Sequence, residues 1–264
     1  MNDYRVEPIG QGMWAIDDES EDSLYLIKGT ERALLIDTGM SAAPLTPLLR
    51  TLTDRPVDLA LTHAHIDHMQ HSGEFERVSL HHADIDAWRR SLGLLYRMGC
   101  MMFHVPNAHP NPRRFMPLDD GSVIELGGRS IRVIHVPGHT PGSCIFADDA
   151  AHALFTGDAF GSGEAAWMWM PGCANVRGYR DSLRALLPKL EPMADYRFFG
   201  GHRLPGVRSE KHPHAHPLTI QVPQDMLTLC EEMLSGRALS KRSNLLPVLR
   251  LRVYSHGHAS MVHR

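Results

Sequence analysis

Residues 63–68 of this 264-residue chain read H-A-H-I-D-H, and this stretch decides how the rest of the sequence is interpreted. It directly follows an apolar run that is typical of a buried strand. Alternate residues of an extended segment point the same way, so His63 and His65 can meet at one metal ion. Asp67 and His68 then begin a turn and can reach a second ion. Neutral imidazole and carboxylate are ligands that suit zinc and related metals.

Three later segments each place one further potential ligand beside glycine, after a predicted strand. They read V-P-G-H-T-P-G-S at 136–143, F-T-G-D at 155–158 and F-G-G-H at 199–202. Glycine lets the backbone approach a bound group closely, and loops at strand ends commonly carry function. The four segments offer five histidines and two aspartates, enough for two metal ions: His63, His65, His68, His139, His202, Asp67 and Asp158.

The composition excludes several classes of protein. With 43% apolar and 22% charged residues the chain can bury a substantial core, and its net charge of -3 gives no basic balance for nucleic acid. The longest purely apolar run, Ala165 to Met170, is far shorter than a membrane span. The charged N-terminus does not resemble a secretory signal, and four dispersed cysteines without C-x-x-C suit reduced thiols. We therefore expect a cytoplasmic protein with a small-molecule substrate, without nucleic-acid or membrane partners, and the sequence allows a homodimer.

The order of predicted elements favours one α/β domain over residues 1–264, because strand groups flanked by helices occur in both halves. The apolar stretch and four prolines between 98 and 117 predict a long irregular loop or lid at about 98–117. An amphipathic pattern from Pro223 to Leu234 predicts a helix. From it we expect a C-terminal helical extension over about 218–264.

Taken together, the motifs H-x-H-x-D-H, P-G-H-T-P-G-S, T-G-D and G-G-H resemble those of the metallo-β-lactamase superfamily over roughly residues 8–205. The resemblance implies an αβ/βα four-layer sandwich with the metal site at one edge of the two sheets. It also implies two divalent ions, zinc first and iron or manganese as alternatives. The implied ligands are His63, His65 and His139 for one ion, Asp67, His68 and His202 for the other, and Asp158 between the two.

Asp37 lies at a strand end in the sequence D-T-G. By resemblance it matches the superfamily's outer aspartate, which orients metal ligands. On its own, D-T-G would also fit half of an aspartic-protease site or a plain turn. The histidine cluster downstream favours an aspartate that orients metal ligands over an aspartic-protease site.

Such a ligand set predicts hydrolysis of an ester-like carbonyl bond. Two cations about 3.5–4 Å apart share a water and lower its pKa to about 7, so that a hydroxide can attack. The second cation stabilises the leaving group, and Asp158 could also carry a proton to it. Asp67 and Asp158 are therefore the expected catalytic carboxylates, and no serine or cysteine nucleophile is required.

Among superfamily branches, lactonases acting on N-acyl homoserine lactones are the first expectation. They resemble this chain in size and in the long separation between Asp158 and His202. They place a tyrosine three residues after the bridging aspartate, where this chain has Gly161, and Tyr179 is the candidate replacement. The candidate substrate pocket is therefore Met101, Phe103, Trp167, Trp169 and Tyr179.

Two alternatives stay open. A glyoxalase II-like enzyme would cleave a glutathione thioester and would use basic C-terminal residues such as Arg237, Lys241 and Arg242. A mononuclear iron dioxygenase or a non-catalytic metal-binding module is the second alternative. A further histidine group, at an accessory site or in a plain surface loop, is His212, His214 and His216.

Overall fold

A computed structural model of the chain describes residues 4–102, 112–162, 165–202, 217–243 and 249–264. Its first sheet has seven strands that neighbour one another in chain order. Strands β1 to β4 are antiparallel, whereas β4 to β7 are parallel. These strands are β1 (Tyr4–Gly10), β2 (Met13–Asp18), β3 (Ser23–Lys28), β4 (Ala33–Ile36), β5 (Val57–Ala60), β6 (Val78–His81) and β7 (Phe115–Leu118).

A second sheet of five strands faces the first and has the order β13-β11-β10-β9-β8. Its members are β8 (Val123–Glu125), β9 (Ser130–His135), β10 (Cys144–Asp148), β11 (Ala153–Gly157) and β13 (Arg197–Gly200). A third sheet has four short strands in the order β12-β16-β15-β14. They are β12 (Ala166–Trp167), β14 (Ser240–Arg242), β15 (Arg252–His256) and β16 (Ala259–His263).

Six α-helices accompany the sheets in the described ranges. They are α1 (Leu45–Leu52), α2 (Ile66–Met69), α3 (His82–Ala87), α4 (Gly93–Met102), α5 (Val176–Leu190) and α6 (Gln221–Leu234). Short helical turns of other types occur at Gln70–Glu74, Trp88–Leu92, Pro112–Arg114 and Glu191–Met193. Asn175 caps α5, because its side chain accepts the N–H of Gly178 at 2.9 Å. None of the described helices is both long and apolar enough to cross a membrane.

Three apolar clusters show how these elements are layered. The two large sheets enclose one cluster, in which the rings of Tyr25 and Phe155 lie 4.9 Å apart. A second cluster packs α1 against the outer face of the first sheet, and a third packs α5 and α6 against the second. The order helix, sheet, sheet, helix confirms the predicted αβ/βα sandwich. Strands β10 and β11 are buried throughout, which explains their nearly continuous apolar sequence.

Two sequence predictions need correction, one for an irregular loop and one for a C-terminal helical extension. The predicted loop at 98–117 begins inside α4 and ends in β7, which pairs with β6, and its residues 103–111 lie outside the described ranges. In the described part of the predicted C-terminal extension, 218–243 and 249–264, α6 is the only α-helix. Beyond α6 the chain forms β14, β15 and β16, because these segments pair with one another and with β12.

The ends of strands from both large sheets meet at one edge of the sandwich. The Cys144 N–H donates to the Thr62 carbonyl at 2.9 Å and joins the two sheets there. Five loops begin at this edge, directly after β4, β5, β9, β11 and β13. These loops carry Asp37 and five of the seven predicted metal ligands, and the loop after β5 leads into α2, which carries the other two, Asp67 and His68.

Candidate metal centre

The seven predicted ligands come together in two groups. Within each group, one ligand atom per residue lies within 4.8 Å of the others. The first group is His63, His65 and His139, and the second is Asp67, His68, Asp158 and His202.

The first group consists of three imidazoles with converging ring nitrogens. His63 Nε2 lies 3.0 Å from His65 Nδ1, which lies 2.8 Å from His139 Nε2. His63 and His139 are almost fully buried. Three nitrogens at these separations can surround a single ion.

The outward nitrogens of two of these rings determine their tautomers. His139 Nδ1 lies 3.0 Å from the Trp167 carbonyl oxygen, which can only accept, so Nδ1 carries the proton. His63 Nδ1 lies 3.1 Å from the Thr62 hydroxyl, which donates its own proton to Asp37. By inference from these partners, His63 and His139 both turn the lone pair of Nε2 inward.

Burial keeps the first group neutral. It lowers the pKa of His63 well below the ordinary histidine value, and the neighbouring imidazoles His68, His65 and His139 add to the effect. Burial likewise lowers the pKa of His65 to about 3 and lowers that of His139. Neutral imidazole is the form that binds a metal.

The second group mixes imidazoles and carboxylates. His202 Nε2 lies 3.2 Å from Asp158 Oδ2 and 3.5 Å from Asp67 Oδ2. His68 Nε2 lies 3.6 Å from Asp67 Oδ2 and 3.7 Å from Asp158 Oδ1. Asp158 also reaches the first group, since its Oδ2 is 3.6 Å from His139 Nε2. Asp158 therefore stands between the two groups of side chains.

Opposite charges dominate the second group despite its burial. Burial opposes the charge of Asp158, but His202 and His68 outweigh it and hold the pKa of this carboxyl well below its usual range. Burial also opposes the charges of His68 and His202. The surrounding carboxylates, Asp67 and Asp158 among them, nevertheless raise the pKa of both histidines well above the ordinary value. Without a metal ion, these opposite charges favour ionised carboxylates and protonated imidazoles in the second group.

Asp37 orients His68, as the resemblance implied. Its Oδ2 lies 2.8 Å from His68 Nδ1, which leaves Nε2 to face the second group. The same carboxylate accepts the Thr62 N–H and hydroxyl, each at 2.7 Å, and so also fixes the start of the ligand loop. Asp37 has a backbone φ of 61°, a left-handed conformation that is uncommon outside glycine and often marks functional sites.

Asp22 orients His202 in the way that Asp37 orients His68. The sequence analysis did not identify this role of Asp22. Its Oδ1 lies 2.9 Å from His202 Nδ1, so Nε2 is again the nitrogen that faces inward. Burial raises the pKa of Asp22 to about 6 against the opposing effect of His202. An acidic residue in a turn before a strand carries no local signal of such a role.

The donor set fits divalent cations. Within the described part of the chain, His68 Nε2 and Asp158 Oδ1 are buried without a hydrogen-bond partner. Buried polar atoms are normally paired, so these two unpaired atoms point to a bound cation in the second group. In the first group, the converging nitrogens of three neutral imidazoles offer a second cation three ligands. Imidazole nitrogen and carboxylate oxygen suit zinc, iron and manganese.

Tyr179 does not line a substrate pocket, contrary to the sequence prediction. Its side chain is fully buried, and its hydroxyl donates to the Ala159 carbonyl next to Asp158. Its ring lies so close to Gly138 that a Cβ at that position would overlap it. Tyr179 therefore supports the loops on both sides of the centre and cannot replace the tyrosine of the lactonases.

The other candidate pocket residues have different surroundings. Trp167 is partly exposed, and its ring centroid lies 6.2 Å from that of Trp169. Met101 is 78% exposed on α4, while Phe103 lies outside the described residues, as do residues 212–216 with their three histidines.

A cleft of about 330 Å³ includes Cys173, a neighbour of His139, in its lining. Cys173 links the cleft to the first group, because its thiol lies 3.2 Å from the His139 carbonyl and 3.4 Å from that of Trp167. The lining of the cleft is Met168, Trp169, Met170, Pro171, Cys173, Ala174, Asn175, His263 and Arg264.

Of the three predicted basic residues, Arg237 lies between α6 and β14, and the other two lie at the far edge of the third sheet. Lys241 and Arg242 belong to β14, three strands from β12, which is about 14 Å at ordinary strand spacing. β12 carries Trp167, the partner of His139. These basic side chains therefore do not border the first group.

Another cluster of potential ligands lies outside this centre and consists of His81, His82 and Asp119. His81 Nδ1 accepts the Ala83 N–H and caps α3, and its ring stacks on His135 at 3.8 Å. His82 pairs with Asp119 at 2.6 Å. These side chains already have protein partners, so we assign no metal to them.

Comparison with known proteins agrees with this geometry. The family described as the metallo-beta-lactamase superfamily matches residues 22–202 of the chain. An acyl-coenzyme A thioesterase, MBLAC2 of Gallus gallus, is 30% identical over 236 residues, which cover 76% of this chain and 83% of that protein. The hydroxyacylglutathione hydrolase GloC of Haemophilus influenzae is 26% identical over 175 residues, covering 62% and 76%.

A solved structure shares both the fold and part of the sequence. The crystal structure of TTHA1623 in a di-iron-bound form has a TM-score of 0.58 and 25% identity, and the match covers 78% of this chain and 93% of that one. Its description records two iron ions in that protein.

Proposed function

Because the chain belongs to the metallo-β-lactamase superfamily and is a hydrolase of that superfamily, we propose that it cleaves acyl thioesters with two divalent ions. The observation that carries the proposal is the pair of ligand groups joined by Asp158. The thioester is supported by two relatives, whose names describe an acyl-coenzyme A thioesterase and a hydroxyacylglutathione hydrolase.

We assign the ligands as the sequence predicted. His63, His65 and His139 would hold the first ion, Asp67, His68 and His202 would hold the second, and Asp158 lies between the two groups. Zinc is the proposed metal because the donors are nitrogen and oxygen, with iron and manganese as the alternatives that metal analysis would distinguish. The complete second group supports two ions over a mononuclear iron enzyme, and the full ligand set opposes a non-catalytic module.

The chemistry that two divalent ions supply in such a site, when bound, is polarisation of a carbonyl and activation of a water. The chain's own part is to manage the proton of that water. Asp158 Oδ1, which is buried and has no hydrogen-bond partner among the described residues, is placed to accept it. The water oxygen then bonds to the carbonyl carbon, the carbon–sulfur bond breaks, and its electron pair leaves with sulfur. A thiol pKa of about 8.5 lets the thiolate depart without prior protonation.

The cleft beside His139 is the proposed site for the acyl chain. Met168, Trp169 and Met170 give it an apolar wall, which suits an aliphatic chain. The Cys173 thiol and the Trp167 carbonyl tie this wall to the first ligand group. This placement keeps Trp169 among the proposed substrate residues and Trp167 as the link to His139.

The lactone that the sequence favoured takes second place in this proposal. Its main requirement was a tyrosine at the centre, and Tyr179 is committed to Ala159 instead. Cytoplasmic location stays a proposal that rests on cysteine usage, with Cys144 and Cys230 buried as free thiols. The small-molecule substrate, the absence of nucleic-acid and membrane partners, and the homodimer also stay predictions.

The test compares three classes of substrate with one enzyme preparation. Medium- and long-chain acyl-coenzyme A and S-lactoylglutathione are followed by thioester loss, and an N-acyl homoserine lactone is followed by acid release. We expect hydrolysis of acyl-coenzyme A that a chelator abolishes and added Zn²⁺ restores. Turnover of the lactone alone, or thioester hydrolysis that survives complete metal removal, would overturn the proposal.

A further inference from the structure

Asp84 is a buried carboxylate that the proposed mechanism does not use. It lies in the first turn of α3 and has no exposed surface. Its Oδ2 accepts the Ala64 N–H and the Thr140 hydroxyl, each at 2.9 Å, and its Oδ1 accepts the Gly142 N–H at 2.6 Å. Three donors therefore converge on one side chain that is remote from each of them in sequence.

These donors belong to the two loops that carry the first ligand group. Ala64 stands between His63 and His65, while Thr140 directly follows His139. The first loop extends from the seven-stranded sheet, and the second connects β9 with β10 in the facing sheet. Asp84 therefore links the loops of opposite sheets that must meet for three imidazoles to converge.

The glycine at 142 shows how close this contact is. A Cβ on Gly142 would lie 2.6 Å from the Asp84 backbone nitrogen and 2.7 Å from its Cβ and Cγ. Contacts below 3.0 Å with backbone atoms cannot be relieved by moving a flexible side chain. The second glycine of the P-G-H-T-P-G-S motif is thus required by Asp84.

We propose that Asp84 is a positioning residue that preassembles the first metal group and has no corresponding role in the second. The proposal rests on the metal ligands assigned above. His68 and His202 of the second group are oriented by Asp37 and Asp22 instead. Residues that orient metal ligands typically change metal affinity by about 10- to 100-fold when they are replaced.

The charge of Asp84 is essential to this role because all its partners are donors. In Asp84→Asn one oxygen becomes an NH₂ group, which must face either the Gly142 N–H or the Ala64 N–H. The new NH₂ group then faces an N–H donor, while the volume of the side chain is nearly unchanged. One of the two ligand loops therefore loses its hydrogen bond to residue 84. Asp84→Asn is therefore a more informative variant than Asp84→Ala, which would also create a cavity.

The test is a titration of the metal-free protein with Zn²⁺ against a competing chelator, without any substrate. We expect wild type to bind two ions, and Asp84→Asn to bind one with unchanged affinity and one about 10- to 100-fold more weakly. The affected ion is identified in a His202→Ala background, which lacks a second-group ligand. There, adding Asp84→Asn should weaken the ion that remains. Absorption of the Co²⁺-loaded proteins gives a second record of changed coordination.

Asp148→Asn is the matched control, because Asp148 is also a fully buried aspartate. It pairs with Arg129 at the opposite end of β10 and should lower the melting temperature without changing either Zn²⁺ affinity. If Asp84→Asn does not fold, Thr140→Val removes one donor while Asp84 stays, and should weaken the same ion by a smaller factor. Equal weakening of both ions, or none, would overturn the proposal. A lack of thioesterase activity would not, because the titration is independent of the substrate.

Discussion

The two ligand groups lie side by side and yet are built on opposite electrostatic principles. In the first group burial prevails, and the pKa values of His63, His65 and His139 fall below the ordinary histidine value. In the second group charge prevails over burial, and the pKa values of His68 and His202 rise. The presence of carboxylates in only one of the groups accounts for the difference.

The groups also differ in what holds their imidazoles. Uncharged oxygens, a hydroxyl of Thr62 and a carbonyl of Trp167, fix two rings of the first group. Buried carboxylates of Asp37 and Asp22 fix the two rings of the second. A carboxylate stabilises imidazolium and thereby raises proton affinity, whereas a neutral acceptor mainly sets the tautomer. The first group is consequently ready for a metal, while the second must first release protons.

Replacing Asp158, which contacts side chains of both groups, should have the largest effect on catalysis. Asp158→Asn keeps the volume of the side chain but loses the charge that contacts both groups and the site that accepts the proton from water. We expect kcat/KM for an acyl thioester to fall by about 10³-fold or more, within the range of losses of acid–base groups. Circular dichroism should show an unchanged fold, because a ligand is altered and not the apolar core. Activity within tenfold of wild type would contradict the bridging role.

The difference in histidine pKa between the two groups predicts an effect of intermediate size, on the pH dependence of metal affinity. Because the surrounding carboxylates raise the pKa of His68 and His202, the second ion must compete with protons for these rings, and its affinity should fall as the pH falls. Each released proton changes the affinity by about tenfold per pH unit, and the first ion should show almost no such dependence between pH 6 and 8. Calorimetric Zn²⁺ titration in two buffers of different ionisation enthalpy counts the protons. Equal proton release for both ions would refute the contrast.

The sequence indicated the candidate ligands and Asp37 but not the other supporting residues, Asp22 and Asp84, for a physical reason. Each ligand stands beside a strand end or glycine within a short motif, so local pattern was sufficient to find it. Asp84 bonds to residues 20, 56 and 58 positions away, and Asp22 bonds to His202 across most of the chain. Only the packing of the two sheets creates such contacts, and an isolated aspartate in a turn or helix does not indicate them.

The same limit explains the wrong C-terminal prediction. Strand β12 has only two residues. It pairs with β16, which is far from it in sequence, near the C-terminus. Periodicity identified α6 because a helix closes its hydrogen bonds within itself. Strands depend on remote partners, so the short segments after α6 left no comparable signal.

Tyr179 contacts the loops of both ligand groups, and removing its hydroxyl should have the smallest effect on activity. In Tyr179→Phe the ring remains against Gly138, so the loop of His139 keeps its packing. The buried Ala159 carbonyl loses its donor, which should lower the free energy of unfolding by about 1–3 kcal/mol. Catalysis and both Zn²⁺ affinities should stay close to wild type, because the hydroxyl does not reach the ligand atoms.

Tyr4→Phe is the matched control for this variant, since the Tyr4 hydroxyl bonds to the Ala43 carbonyl at 2.5 Å in a part-buried position away from the metal ligands. Both variants should lower the melting temperature, and neither should change kcat. A loss of about 10²-fold in kcat for Tyr179→Phe, at unchanged melting temperature, would be the signature of a hydroxyl that stabilises a reacting oxygen. That outcome would restore the lactonase interpretation of Tyr179. The expected outcome instead makes the tyrosine a common structural support, on which two electrostatically different metal groups rest.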